Sequence, residues 1–273
     1  MSFDSTILAP EDYEEPRCLL RCDGPAAIPR QRIAEKLDEY MSRRDYAGAE
    51  RHLLYWMAEA EMERDLGGQL FLCGELAGHY RKVSDREKAL LYVDRTLDLL
   101  DLLKPGGATE GTALVNAATA CSAFGENERA LDLFRRAEAA YGTAPETGPR
   151  TLGGLYNNMG LACAALNRFE KAFELYGRAM EKMGQVSGGE LEQAVTCLNM
   201  ADAVEAEQGP EAGERRIAEL LDRAYALLQD TDAPRDGYYA FICEKCAPGF
   251  SYYGYFAAAE ELRQTAERIY ERT

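Results

Sequence analysis

Apolar residues recur at three- and four-residue steps along most of the chain, the period of one face of an α-helix. The stretch "LYNNMGLACAALNRFEKAFELYGRA", Leu155 to Ala179, shows the pattern twice. Leu155, Tyr156, Met159 and Cys163 mark one helix, and Phe169, Ala172, Phe173, Tyr176 and Ala179 mark a second, with the polar "LNR" at 166–168 between them. Alternation of apolar and polar residues, the mark of a half-buried strand, persists nowhere. The chain is expected to be all-α. Clusters rich in glycine and proline punctuate it: "KPGG" at 104–107, "GTAPETGPR" at 142–150, "GQVSGG" at 184–189 and "DTDAPRD" at 230–236.

The helical pattern repeats. A small or apolar landmark falls at Leu37, Ala77, Ala118, Gly160 and Ala201, at intervals of 40, 41, 42 and 41 residues. A second landmark moves in step with it, at Ala49, Ala89, Ala130 and Ala172. Two landmarks in step define a unit of two amphipathic helices, A and B, joined by a short polar hinge. Six units are expected, near 30–68, 69–107, 108–149, 150–187, 188–233 and 234–273, forming one uninterrupted array. The fifth has a hinge, "EQGPEAGE" at 207–214, that reads about four residues longer than the others. In the sixth, Ala247 and Ala259 match the landmarks, but Pro248 and Gly249 are expected to interrupt its first helix. Residues 1–29 lie outside the repeat, as a cap, a tail or an arm.

These residues resemble the tetratricopeptide repeat. The fourth unit supplies Tyr156, Met159, Gly160 and Cys163 on helix A, then Ala172, Tyr176 and Ala179 on helix B. The third supplies Leu114, Ala117, Ala118 and Cys121, then Ala130, Phe134 and Ala137; the second supplies Cys73, Leu76, Ala77 and Tyr80, then Ala89, Val93 and Thr96. The first unit, with Ile33, Leu37, Tyr40, Ala49, Leu53 and Trp56, follows the pattern more loosely. The unit is about seven residues longer than the family's usual one. In this it is similar to kinesin-light-chain-type repeats and to those of bacterial peptide-pheromone receptors. The resemblance implies a right-handed α-α superhelix of about six helix pairs, a non-enzymatic scaffold that binds protein or peptide in a concave groove lined by the A helices.

Within that register Asn116, Asn158 and Asn199 each lie two residues before a landmark. Asparagine is a poor interior helix residue, because its amide competes for backbone hydrogen bonds. A row of side-chain amides, each with a donor and an acceptor, suits the backbone of an extended peptide. The resemblance implies the same role, since related arrays hold peptide backbones with asparagines at this site. The alternative is a structural row that bonds neighbouring helices. Asn157 lies one step round the helix, does not recur, and ranks lower. The register adds Thr119 and Asp202 to the candidate peptide-binding residues. Around them the floor is small or neutral (Thr112, Ser122, Gly154, Leu161, Ala165), and its ends are mostly acidic, with Glu35, Asp38 and Glu75 at one end, where Arg81 and Lys82 lie close by, and Asp202 and Glu205 at the other.

Composition narrows the partner. Of 273 residues, 31 are basic and 47 acidic, a formal charge of −16, which disfavours nucleic acid and anionic membranes and favours a partner with basic residues. No apolar run is long enough for a membrane span, and "MSFDSTILAPEDYEEP" lacks the features of a signal peptide, so a cytoplasmic protein is expected. The pair Cys243 and Cys246, with Cys18 and Cys22, could form a four-thiolate zinc site, but Cys73, Cys197 and Cys243 share one interior repeat position and Cys121 and Cys163 another. At such positions cysteine acts as a small apolar residue. His52 and His79 fit neither a catalytic nor a metal-binding pattern. No enzyme activity, metal or cofactor is therefore expected. The aromatic stretch from Tyr238 to Phe256 raises a second possibility, a structural subunit that self-associates as a homodimer through its last repeat.

Overall fold

The computed structural model describes residues 27–272. Among them the regular structure consists of twelve α-helices: α1 (Arg30–Ser42), α2 (Tyr46–Met62), α3 (Leu66–Lys82), α4 (Arg86–Leu103), α5 (Gly107–Ala123), α6 (Asn127–Gly142), α7 (Pro149–Ala165), α8 (Phe169–Met183), α9 (Glu190–Gln208), α10 (Pro210–Gln229), α11 (Gly237–Tyr252) and α12 (Phe256–Tyr270). Consecutive helices form six A/B pairs, with the odd-numbered helices as A. The helices number and pair as the repeat implies. Among the described residues no helix is long and apolar enough to cross a membrane.

The chain divides into two compact units after Leu72, inside α3. In the first, Ile33, Leu37, Ala49, Leu53 and Met57 form the core of the α1/α2 pair. Ile28 is buried as well, and its backbone N–H donates to Asp65 Oδ2 at 3.0 Å. The rest of the expected extension, residues 1–26 with Cys18 and Cys22, lies outside the described residues. In the second unit the A helices α5, α7 and α9 each pack on the next A helix, all four of α5, α7, α9 and α11 pack on their own B helix, and α4, α6 and α8 also pack on the A helix that follows.

One turn design makes the A/B hinges. At Asp45, Asp85, Glu126, Arg168 and Tyr255 the backbone N–H reaches back five residues, to the carbonyls of Tyr40, Tyr80, Cys121, Cys163 and Phe250, at 2.8–3.0 Å. The residue before each one has positive φ: Arg44, Ser84, Gly125, Asn167 and Gly254. This is a Schellman closure, which satisfies the last carbonyls of helix A. Asp45 and Asp85 then cap the next helix, accepting from Gly48 N at 2.8 Å and Lys88 N at 3.1 Å.

Two expectations about the last units are corrected. The fifth hinge is shorter than the rest, not longer: Gly209 alone, with φ 81°, joins α9 to α10. The extra residues extend α9 and α10 to 19 and 20 residues. Glutamate and alanine are good helix formers, and Pro210 at the first position of α10 gives up no needed N–H. Nor do Pro248 and Gly249 interrupt the sixth unit: α11 runs through both to Tyr252. Proline here removes one backbone bond, but Cys243, Cys246, Ala247 and Phe250 are buried on both sides of it, and their packing holds the helix together.

Small residues let helices A and B approach. All the second landmarks, Ala49, Ala89, Ala130 and Ala172, have no exposed surface. At Gly160, a Cβ would sit 2.5 Å from Cε1 of Tyr176, itself fully buried. Gly160→Leu should therefore destabilise the fold by about 2 kcal/mol or more, since overpacking a tight contact costs roughly 1–3 kcal/mol. Gly154 lies on the same helix with nothing within 4 Å of its Cβ position. Gly154→Ala should be neutral or stabilising by up to about 1 kcal/mol. Urea denaturation midpoints of the two variants test the pair, and equal midpoints would contradict the packing account.

Candidate functional site

The A-helix face of the second unit carries the residues singled out by register. Ala118, Gly160 and Ala201 are buried, and two residues earlier Asn116 is exposed while Asn158 and Asn199 are half-buried. A buried landmark fixes the rotation of its helix, so the residue two positions away, about 200° round it, lies on the side away from the landmark. The amide of Asn116 lies beside α3, with its Nδ2 3.6 Å from the Cβ position of Gly74. Asn199 Nδ2 donates to Asn157 Oδ1 at 2.9 Å, joining α9 to α7. The lower-ranked asparagine is thus the one that holds a member of the row. Position 199 on one A helix abuts position 157 on the preceding one. Gly74 and Asn116 repeat the offset of 42 residues that Asn157 and Asn199 have.

Thr119 is half-buried, and its hydroxyl donates to the Val115 carbonyl at 2.8 Å, leaving acceptor capacity toward solvent. Asp202 accepts from the Tyr253 hydroxyl at 2.9 Å. Glu205 also lies within reach of that hydroxyl, at 3.1 Å, and accepts from Tyr252 at 3.1 Å. Desolvation pushes the Asp202 carboxyl above the usual range, and the Tyr253 hydrogen bond opposes the shift. The contribution of Tyr252 and Tyr253 was not legible in the register, because they belong to the following unit. Its A/B turn comes to rest beside the end of α9.

Carboxylates on the B side are paired differently. Arg86 bonds Glu126 at 2.6 Å, Arg168 bonds Glu128 at 2.5 Å, and Arg178 bonds Glu138 at 2.7 Å, each pair 40 residues apart. These pairs join successive units and are mostly exposed, so each contributes little stability. Asp202 and Glu205 are held by neutral hydroxyls instead, and their charge is not cancelled by those partners.

The cysteines and histidines among the described residues are part of the packing. Cys73, Cys121, Cys163, Cys197, Cys243 and Cys246 are all buried free thiols. Desolvation pushes Cys121 and Cys243 to about 11 and Cys246 to about 12. His52 Nε2 lies 3.2 Å from the Ile33 carbonyl, and His79 is buried.

No protein-family model and no curated protein sequence matches the chain. Solved structures do. BtubC (BKLC) from P. vanneervenii superposes with a TM-score of 0.53 at 18% identity, covering 84% of this chain and 91% of that one. A variant of a Podosopora anserina putative kinesin light chain with nearly identical TPR-like repeats gives 0.50 at 16%, covering 74% and 95%. A Rap protein complexed with competence and sporulation factor gives 0.50 at 13%, covering 87% and 73%. The fold is that of tetratricopeptide-like helical-repeat proteins.

Two outcomes follow from this geometry. Asn158→Ala should raise stability by about 0.6 kcal/mol, the helix-propensity difference. Asn199→Ala should rank below it, because the lost bond to Asn157 removes about 1 kcal/mol; the reverse order of melting temperatures would contradict the assignment. In a background with Cys18 and Cys22 changed to serine, the remaining thiols should resist Ellman's reagent at pH 8 until the protein unfolds, since buried thiols with raised pKa are unreactive. Rapid labelling of Cys243 or Cys246 in the folded protein would contradict their placement.

Proposed function

We propose that the chain is a non-enzymatic cytoplasmic scaffold that holds an extended protein or peptide segment along its A-helix face. The observation that carries this reading is the row itself. Three successive A helices place an amide at one register position where solvent reaches it, and carboxylates lie at one end. Asn116 and Asn158 are the residues assigned to the peptide backbone. Asn199, tied to Asn157, positions that end of the row. Thr119 offers an acceptor, and Asp202 with Glu205 favours basic side chains in the ligand. The Rap protein, seen in complex with competence and sporulation factor, supports the reading as a protein of like fold with a bound partner.

The test is selection from a random peptide display library, followed by titration of the selected peptides. Asn116→Ala with Asn158→Ala should weaken binding by roughly fivefold for each hydrogen bond lost, at about 1 kcal/mol apiece. The melting temperature should hold or rise. Arg135→Ala, on the exposed B side, should change nothing. Peptides that bind the double variant as well as the parent protein would overturn the proposal.

A further inference from the structure

A cavity of about 540 Å³ opens between α10 and the turn that leads from α11 into α12. Ligand pockets take roughly 300–1,000 Å³, so its size is that of a binding site. Asp222 and Tyr225 of α10 line one wall, Tyr255 and Phe256 line the other, and the remaining lining is glycine and alanine. The walls belong to units five and six, so the cavity is made by a junction between two repeats. The amides of the A-helix face take no part in it.

The two tyrosines are held in place by reciprocal bonds. Tyr255 donates to Asp222 Oδ1 at 3.2 Å, and Tyr225 donates to Glu261 Oε2 at 2.5 Å, so each wall anchors a ring of the other. Behind both lies the buried ring of Phe250, its centroid 6.1 Å from that of Tyr225 and 6.2 Å from that of Tyr255. Rings fixed in this way lose little freedom when a ligand arrives. Phe256, at the first position of α12, is 68% exposed and stands outside the core cluster. Elsewhere ring faces are covered by cations of the chain itself: Arg178 lies 3.8 Å from the Tyr156 centroid, Arg216 4.1 Å from that of Phe173, and Arg235 4.0 Å from that of Tyr239. Among the described residues no lysine or arginine lies over Tyr225, Tyr255 or Phe256 in this way. Asp222 and Glu261 accept from neutral donors, and neither is in an ion pair among the described residues.

We propose that this cavity binds a quaternary ammonium group. Aromatic rings attract a cation through the negative charge of their faces, and more strongly once water is excluded. A phenol that donates to a carboxylate has the more electron-rich ring, and both tyrosines do so. The Asp222 carboxylate adds direct attraction, in a chain of formal charge −16. A primary ammonium fits less well. It has three N–H donors to satisfy, and the side chains of the lining offer one carboxylate, whose Oδ1 already accepts from Tyr255. Methyl groups in place of those donors need no acceptors and pack on rings and alanines instead. Such a group is carried by a small molecule of the choline kind or by a trimethylated lysine side chain, and its chemistry at the cavity is the same.

The test is an NMR titration of the full chain, read at the backbone amides of Gly254 to Ala258, with ligands up to about 20 mM. Choline and the acetylated amide of trimethyllysine should both shift these amides and saturate. Tighter binding of choline assigns the site to a free small molecule, and tighter binding of the trimethyllysine derivative assigns it to a modified side chain; either order supports the proposal. 3,3-Dimethylbutanol, which has the shape of choline with carbon for the charged nitrogen, should bind about tenfold more weakly. The unmodified lysine derivative should bind about tenfold more weakly than its trimethyl form. Asp222→Asn keeps an acceptor for Tyr255 and should weaken choline several-fold without affecting dimethylbutanol. Phe256→Leu, a surface change that leaves the melting temperature unchanged, should weaken choline several-fold. Phe241→Leu, at an exposed aromatic residue outside the cavity, should change nothing, and neither should Asn116→Ala with Asn158→Ala, so the site is tested apart from the peptide face. No shift with either quaternary ligand, equal binding of choline and dimethylbutanol, equal binding of lysine and trimethyllysine, or indifference to both Asp222→Asn and Phe256→Leu would each overturn the proposal.

Discussion

The ring of Tyr176 fills the volume that a side chain on Gly160 would need, and this sets the distance between α7 and α8. Equivalent approaches recur through the chain. The Tyr141 ring lies 2.4 Å from the Cβ position of Gly111, and Val204 lies 2.9 Å from that of Gly213. Alanines at 49, 89, 130 and 172 serve the same end with no exposed surface. Once helices A and B are held this close, their outer faces are fixed in rotation. Which residues of helix A meet the next unit, and which meet solvent, follows from that one contact.

The hinges convert a pair of helices into a repeat. A Schellman closure consumes the last carbonyls of helix A within three residues and turns the chain by a set angle. Because its central residue needs positive φ, glycine suits it at Gly125 and Gly254, while Arg44, Ser84 and Asn167 occupy the same conformation at some cost. The aspartates at 45 and 85 close one helix and start the next, so direction is transmitted with little slack. Only Gly209 breaks the series, between the two longest helices.

On this frame the A-helix face has freedom that the core lacks. The core positions accept only small or closely fitting residues. The amide positions tolerate asparagine because they lie on the side of helix A away from the small-residue landmark, where a helix penalty of about 0.6 kcal/mol is small beside the tertiary packing. One amide pair, Asn199 with Asn157, already links two A helices, and Asn116 lies over a glycine that leaves it room. The acidic end of the face is completed by hydroxyls from the last unit. The candidate binding surface therefore depends on the stacking of units, and no unit holds it alone.

Period and small-residue landmarks determined the helices, their pairing and the core of the repeats in sequence, because a residue that must sit in a tight helix contact leaves a mark at every turn of the repeat. Cys73, Cys121, Cys163, Cys197 and Cys243 were legible for the same reason, since shared repeat positions placed them inside. Which asparagine bonds which was not legible. It depends on a 42-residue offset between adjacent A helices, and that offset arises only when units stack. The fifth hinge misled because glycine and proline signal a break locally, yet packing extended the helices up to Gly209. Proline at 248 misled likewise, because the cost of a missing backbone bond is visible in sequence and the buried contacts that offset it are not. Tyr253 over Asp202 joins residues 51 apart. Contacts of that range belong to the tertiary structure, which decides them by the angle at which one unit meets the next.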